Sequence, residues 1–395
     1  MHVAGHTLRM LALGSVALLL VACAGGPPPD YPKTPSTAFT DYQTTRLGQR
    51  IGAPNEEQPE LSGFRLLPEA REAFIVRLAL AEVAEQSLDM QYYIWEPDTT
   101  GRIIVDRVIR AADRGVKVRL LVDDPFYMDV DSAIASIDAH PNIEIRLFNP
   151  VTNRGWYQMD FISDFRRLNR RMHNKLMVAD NAAAIVGGRN IGDIYYGVNT
   201  AANYRDLDVL TVGPIVRDLS GVFDQFWNDG NAVPIVALVD RDYTEDDLVV
   251  LRGNLGDWLD GVEYPYPIDH DLERLDRTSA ETRAALVWAH GQIIADNPEA
   301  LADGSDTTDV SHFLVSRVNS LDSELLIESP YFVLRNFGIE LMGELVERGV
   351  RVQVLTNSLA SNDVVPVHAG YAKTRPRLLE NGVELYEFRA DTEDF

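Results

Sequence analysis

Cysteine is nearly absent from this chain: Cys23 is the only one among 395 residues. Neither a disulfide within the chain nor a cysteine-based metal site can form. Basic charge is also scarce. Thirty-six Lys and Arg stand against 60 Asp and Glu, a net charge of −24. Such a surface repels nucleic acid, whose binding relies on Lys and Arg neutralising phosphates, so no nucleic-acid partner is expected. The acidity reads first as solubility, and a basic pocket can still lie within it. Beyond the N-terminus no apolar run approaches the ~20 residues that a membrane-spanning helix needs. The hydrophobic share of 46% is still that of a protein with real cores, and the length suggests two or three domains.

Met10–Ala22 is a mostly apolar run of 13 residues. That is too short to span a bilayer and fits the apolar core of a secretory signal. Its end, Leu20-Val21-Ala22-Cys23, resembles the lipobox of bacterial lipoproteins. The resemblance implies a signal peptide over 1–22, cleavage before Cys23, and acylation of the Cys23 thiol. The mature protein is then expected to be a bacterial lipoprotein, exported to the periplasmic side and held on a membrane through Cys23. A Pro-rich tether over 23–58 follows and would hold a globular body off that surface. An ordinary signal peptide with a chance cysteine is the competing reading.

The rest of the chain reads as two related halves. In the first, a helical pattern over Ala70–Glu85 precedes a strand over Ser87–Trp95, a helix over Gly101–Arg114 and a strand over Val116–Asp124. The second half repeats this order: a strand over Glu324–Phe332, a helix over Gly338–Arg348, and a strand over Val350–Ser358. Arg114-Gly115-Val116-Lys117-Val118 matches Arg348-Gly349-Val350-Arg351-Val352 at an offset of 234. Strand–helix–strand units of this kind imply mostly parallel sheets. The expected fold is therefore α/β, with two halves related by a pseudo-two-fold. Domain boundaries are placed at 59–240 and 311–395, with an acidic, largely helical connection over 241–310.

One motif carries chemistry. His173-Asn174-Lys175 continues through Asp180 to Gly187-Gly188-Arg189-Asn190, the pattern H-x-K-x₄-D-x₆-G-G-x-N. It resembles the phospholipase D superfamily at every constrained position. Phe165–Arg171 before it and Asp206–Pro214 after it are similar to the cardiolipin synthase branch, particularly its C-type members. The resemblance covers about residues 60–390. It implies a phospholipase D-like fold and a phosphatidyltransferase that acts on phospholipids through a phosphohistidine, without a metal or other cofactor.

The residue types suit that chemistry. If the motif lies on a strand, His173 and Lys175 share one face. Imidazole attack at phosphorus splits one displacement into two easier ones, and Lys175 supplies positive charge to the phosphoryl oxygens. Asn190 adds neutral donors for phosphate after a Gly-Gly turn where backbone can approach ligand. Asp180 matches the family aspartate and takes a supporting role. A nucleophilic histidine also needs an acceptor on its other ring nitrogen. Asp206 and Asp208 are the candidates, and the resemblance favours Asp208. The arginines over Arg166–Arg171 could attract anionic headgroups or form a solvated helix end. Tyr92-Tyr93-Ile94-Trp95 reads as core before lipid contact.

A second His-x-Lys, which superfamily enzymes use as acid and base, does not occur in the sequence. His368 is followed two residues later by Gly370 and is similar to a segment upstream of that motif. Asp124 and His173 are 49 residues apart. The same interval from Ser358 runs past residue 395, so the chain is expected to be truncated in its second half. A nuclease of the same superfamily, phospholipid hydrolysis and a catalytically silent lipid-binding lipoprotein remain as alternatives. The oligomeric state is left open.

Overall fold

The computed structural model describes residues 31–52, 57–124, 130–151, 154, 165–168, 170–199, 203–266, 283–299 and 309–389. The expected signal peptide and Cys23 lie outside them. The chain divides into two compact units, one ending at Ser305 and one beginning at Asp306.

The first unit is built on a nine-stranded sheet. Its strands are β1 (Ser62–Leu67), β2 (Ser87–Tyr92), β3 (Lys117–Asp123), β4 (Ile143–Phe148), β5 (Leu176–Ala179), β6 (Ala183–Gly187), β7 (Asp208–Val212), β8 (Ala232–Pro234) and β9 (Val287–Ala289). Their order is β8-β4-β3-β2-β5-β6-β7-β1-β9. β2, β3 and β4 run parallel. The strands around them pair antiparallel. Alternation along the strands feeds two cores. Leu88, Met90 and Tyr92 of β2 face one side, with Met177 and Ala179 of β5. Helices Ala70–Val83 and Thr99–Asp113 cover that side with Phe74, Ile104 and Val108. Leu121, Leu176 and Val178 face the other side, under Phe223 and Trp227 of helix Ile215–Asn228. All of β2 is buried, as a central strand covered on both faces should be.

Within 241–310, helix Glu245–Gly261 packs on the first core through Leu248, and β9 extends the sheet beside β1. Part of the segment read as a tether is fastened down. Lys33 Nζ donates to the Asp229 carbonyl. Ala38 N–H donates to Asp224 at 2.9 Å, Trp227 Nε1 to Ser36 Oγ at 2.9 Å, and Asn181 to the Phe39 carbonyl at 2.8 Å.

The second unit holds three parallel strands, β10 (Glu324–Glu328), β11 (Arg351–Asn357) and β12 (Glu384–Phe388), in that spatial order. Helices Asn336–Glu347 and Val365–Glu380 pack on it around Leu345, Val352 and Val354. The internal repeat is explicit in the backbone. Gly115 and Gly349 end their helices at φ +97° and +86°, left-handed values that glycine adopts without strain. In each case the glycine N–H and the next N–H close the helix end, onto Ala112 and Ala111 in one unit and onto Val346 and Leu345 in the other. Among the described residues, no helix is long and apolar enough to cross a membrane.

Candidate active site

His173 and Lys175 lie just before β5, in a segment outside the sheet. The strand expected to carry them begins only at Leu176, where β5 pairs with Gln91 of β2. Past that pair the chain runs beyond the carboxyl end of β2. Ligands of parallel sheets collect at such carboxyl ends.

His173 is exposed on one side and rests its ring on Tyr93, with centroids 4.7 Å apart and planes tilted by 49°. Lys175 is buried, and its Nζ donates to the carbonyl of His173 at 2.7 Å. The same ammonium lies 5.3 Å from the centre of the Tyr93 ring. This two-residue loop brings a cation and an imidazole to one place. Loss of water around the ring, and secondarily the charge of Lys175, pushes His173 down to about 4. The imidazole is therefore neutral at pH 7 with a free lone pair, as nucleophilic attack requires. Burial also lowers Lys175, to about 8, against the pull of Asp206 and Asp123.

Asp123, which ends β3, was not singled out from the sequence. Its carboxylate takes the Arg171 guanidinium at 2.6 Å and the Met172 N–H at 2.8 Å. It thereby fixes the residue before His173. Burial pushes this carboxyl up, with Arg171 opposing. Its only advance signal was an aspartate at the end of a strongly apolar strand. Arg171 is thus spent inside the protein, and so is Arg167, which donates to Asn149 at 2.7 Å and to the Pro150 carbonyl. These two arginines are anchors of the loop and not a solvated helix end.

The structure separates the two candidate acceptors. Asp208 is fully buried, and its carboxylate faces Arg77 at 2.9 Å and Arg189 at 3.3 Å. It makes no hydrogen bond to His173. The expectation that it orients the imidazole gives way to a buried Arg77–Asp208–Arg189 cluster, because two guanidiniums compete for the carboxylate. Asp206 lies outside β7 and acts on Lys175 through charge. No hydrogen bond joins it to His173 either, among the described residues.

The glycine pair also has a reason within the protein. A Cβ on Gly187 would stand 2.1 Å from Asp208 Oδ1, and one on Gly188 would stand 1.9 Å from Asp206 Oδ1. These carboxylates take up space that glycine leaves. Asn190 is buried. It accepts the Ile94 N–H at 3.0 Å and donates to Tyr195 Oη at 2.9 Å. Its amide therefore ties the loop after β2 to the motif, leaving at most one N–H for phosphate. Asp180, at φ +52°, receives the N–H groups of Glu85, Gln86 and Ser87 at 2.8–3.1 Å. It fixes the entry to β2 and stands apart from the His173 ring. His368 lies on helix Val365–Glu380 with its ring edge-on to Tyr371.

A His-x-Lys pair at the carboxyl end of a mixed sheet, its loop fixed by the buried Asp123, defines a phospholipase D-like catalytic domain. Residues 78–227 match the family described as "Cardiolipin synthase, PLD-like domain". Cardiolipin synthase C of Escherichia coli is 37% identical over 363 residues, covering 88% of this chain and 74% of that protein. An uncharacterized protein of Helicobacter pylori is 29% identical over 364 residues, covering 90% and 71%. The crystal structure of phosphatidylserine synthase from Haemophilus influenzae superimposes with a TM-score of 0.53 at 15% identity, over 88% of this chain and 77% of that one. That likeness shows a shared fold. The chain belongs to the cardiolipin synthase family of the phospholipase D superfamily.

Proposed function

We propose that this protein transfers a phosphatidyl group between alcohols, with His173 as the nucleophile. The observation that carries the reading is the contact of Lys175 Nζ with the His173 carbonyl, which sets a cation beside a neutral imidazole. A ring nitrogen of His173 attacks the phosphorus of a phospholipid. The P–N bond forms, the bond to the headgroup oxygen breaks, and the departing alkoxide takes its proton from water, since no second His-x-Lys occurs in the sequence to supply it. An acceptor hydroxyl then attacks, the P–N bond breaks, and the acceptor proton is released. Lys175 faces the phosphoryl oxygens, whose charge it stabilises in both steps. Asp123 and Tyr93 position the imidazole loop.

Phosphatidylglycerol as both donor and acceptor would give cardiolipin, the product named for the Escherichia coli relative. Water as acceptor would give phospholipase D hydrolysis. The net charge of −24 favours lipid over a nucleic-acid substrate. Cys23 is the proposed lipid attachment point, holding the protein on the periplasmic face of a membrane. From Lys33 onward the chain is fastened to the first unit. Acylation adds ~0.8 kcal/mol of membrane affinity per buried CH₂.

Transfer is tested by incubating the protein with phosphatidylglycerol and ethanol. The expected product is phosphatidylethanol, absent with His173→Ala. Phosphatidic acid alone would show a hydrolase, and phosphatidylethanol formed equally by His173→Ala would count against His173 as the nucleophile.

A further inference from the structure

An apolar cavity of about 410 Å³ lies in the first unit, within the ~300–1,000 Å³ range of small-molecule sites. It is enclosed by helices Thr99–Asp113, Asp131–Asp138 and Glu245–Gly261 and by the face of β3 and β4. Val105, Leu120, Ile134, Ile137, Ile145 and Leu255 form its walls. β3 records the gap. Leu120 and Val122, which face it, keep 6% and 7% exposure, while Leu121 on the opposite face keeps 1%.

Polar lining is confined to the mouth. Glu96, Arg102 and Asn254 border the cavity and are all exposed. The Arg102 guanidinium stands 5.0 Å above the Trp258 ring, and its Nε donates to the Pro97 carbonyl at 2.9 Å. An apolar interior with charge at the entrance suits an aliphatic chain attached to a polar head.

The mouth is joined to the active site by backbone. Tyr93 lies under His173. Three residues on, Glu96 N–H donates to the Ile191 carbonyl at 2.8 Å, next to Asn190. Three residues span at most ~11 Å. A lipid whose phosphorus meets His173 therefore has its acyl chains within reach of this entrance.

We propose that the cavity holds one acyl chain of the phospholipid substrate. The proposal rests on the phospholipid reading above and adds a site that selects chain length. Trp95 and Trp258 both line the cavity and report on it directly. Phosphatidylglycerol brominated along its acyl chains should quench their fluorescence saturably. Dioleoyl-phosphatidylglycerol should displace it, and dihexanoyl-phosphatidylglycerol should do so at least tenfold less well. Val105→Phe, which fills the cavity, should weaken the brominated lipid at least tenfold, as loss of about two buried methylenes already would. Equal quenching in Val105→Phe and the natural chain, or equal displacement by both competitors, would overturn the proposal. So would unsaturable quenching, which would mean that the lipid meets the tryptophans without a binding site. Should Val105→Phe fail to fold, the chain-length series on the natural protein decides. Quenching needs no turnover and is expected intact in His173→Ala, so this site and the phosphohistidine chemistry stand or fall separately.

Discussion

The Asp123 carboxylate accepts the backbone N–H of Met172 at 2.8 Å, one residue before the proposed nucleophile. The same carboxylate holds Arg171 at 2.6 Å. Asp123→Ala removes both contacts and leaves a largely buried guanidinium without its counter-charge, held only by the carbonyls of Phe148, Asn149 and Leu168. Stability should fall by about 3–5 kcal/mol, read as a shift of the urea midpoint. In the folded fraction, kcat should fall by ~100-fold, the effect of a misplacement near 1 Å, with KM changed much less. An unchanged kcat would remove Asp123 from the positioning of His173.

The pH profile follows from two shifts. His173 titrates at about 4 and is neutral above that, so its nucleophilicity is lost only as pH falls through 4. Lys175 titrates at about 8, so its charge is present below that pH and lost above it. The kcat/KM of the free protein should form a plateau between these limits. Lys175→Arg should remove the alkaline limb, because guanidinium stays protonated. An acid limb at 6.5, the ordinary histidine value, would contradict the environment described for His173.

Asp206 and Asp208 should part company under mutation. Asp208→Asn leaves Arg77 and Arg189 facing each other without their shared counter-charge, and about 3–5 kcal/mol of stability should be lost. Asp206→Asn should leave the urea midpoint nearly unchanged. The negative charge of Asp206 raises Lys175, so its removal should move the alkaline limb to lower pH. The reverse pattern would restore Asp208 as a site residue.

Gly187 and Gly188 should differ in tolerance. A Cβ on Gly187 meets backbone, Asp208 Cα and Leu207 O at 2.6 Å, whereas one on Gly188 meets only the Asp206 carboxyl group. Gly187→Ala should therefore lower the thermal midpoint by several degrees, while Gly188→Ala should fold normally and, by displacing Asp206, move the alkaline limb to lower pH. Equal thermal midpoints for the two variants would contradict this packing.

Much of the fold was legible because it repeats. The Arg-Gly-Val turn before β3 and before β11 signals one helix cap used twice, and both glycines take the expected left-handed conformation. The antiparallel surroundings of β2–β4 were not legible, since short buried strands such as Leu176–Ala179 carry no sign of direction. The His-x-Lys motif marked the centre of the proposed site, but its side-chain partners were set by tertiary competition. Asp208 carries the same chemistry as Asp206 on paper. Only packing shows that Arg77, 131 residues away, and Arg189 claim it. Asp123 escaped notice because an aspartate at a strand end is common and its partner Met172 contributes only backbone.

The most direct test of the account is chemical. The full chain is mixed with phosphatidylglycerol labelled at phosphorus, quenched within milliseconds under alkaline conditions that preserve P–N bonds, and digested for mass spectrometry. A single labelled peptide carrying a phosphatidyl or phosphoryl group on His173 is expected, absent in His173→Ala and at least ~100-fold slower to form in Lys175→Ala. Label on another residue, or turnover in His173→Ala equal to that of the natural chain, would contradict the mechanism.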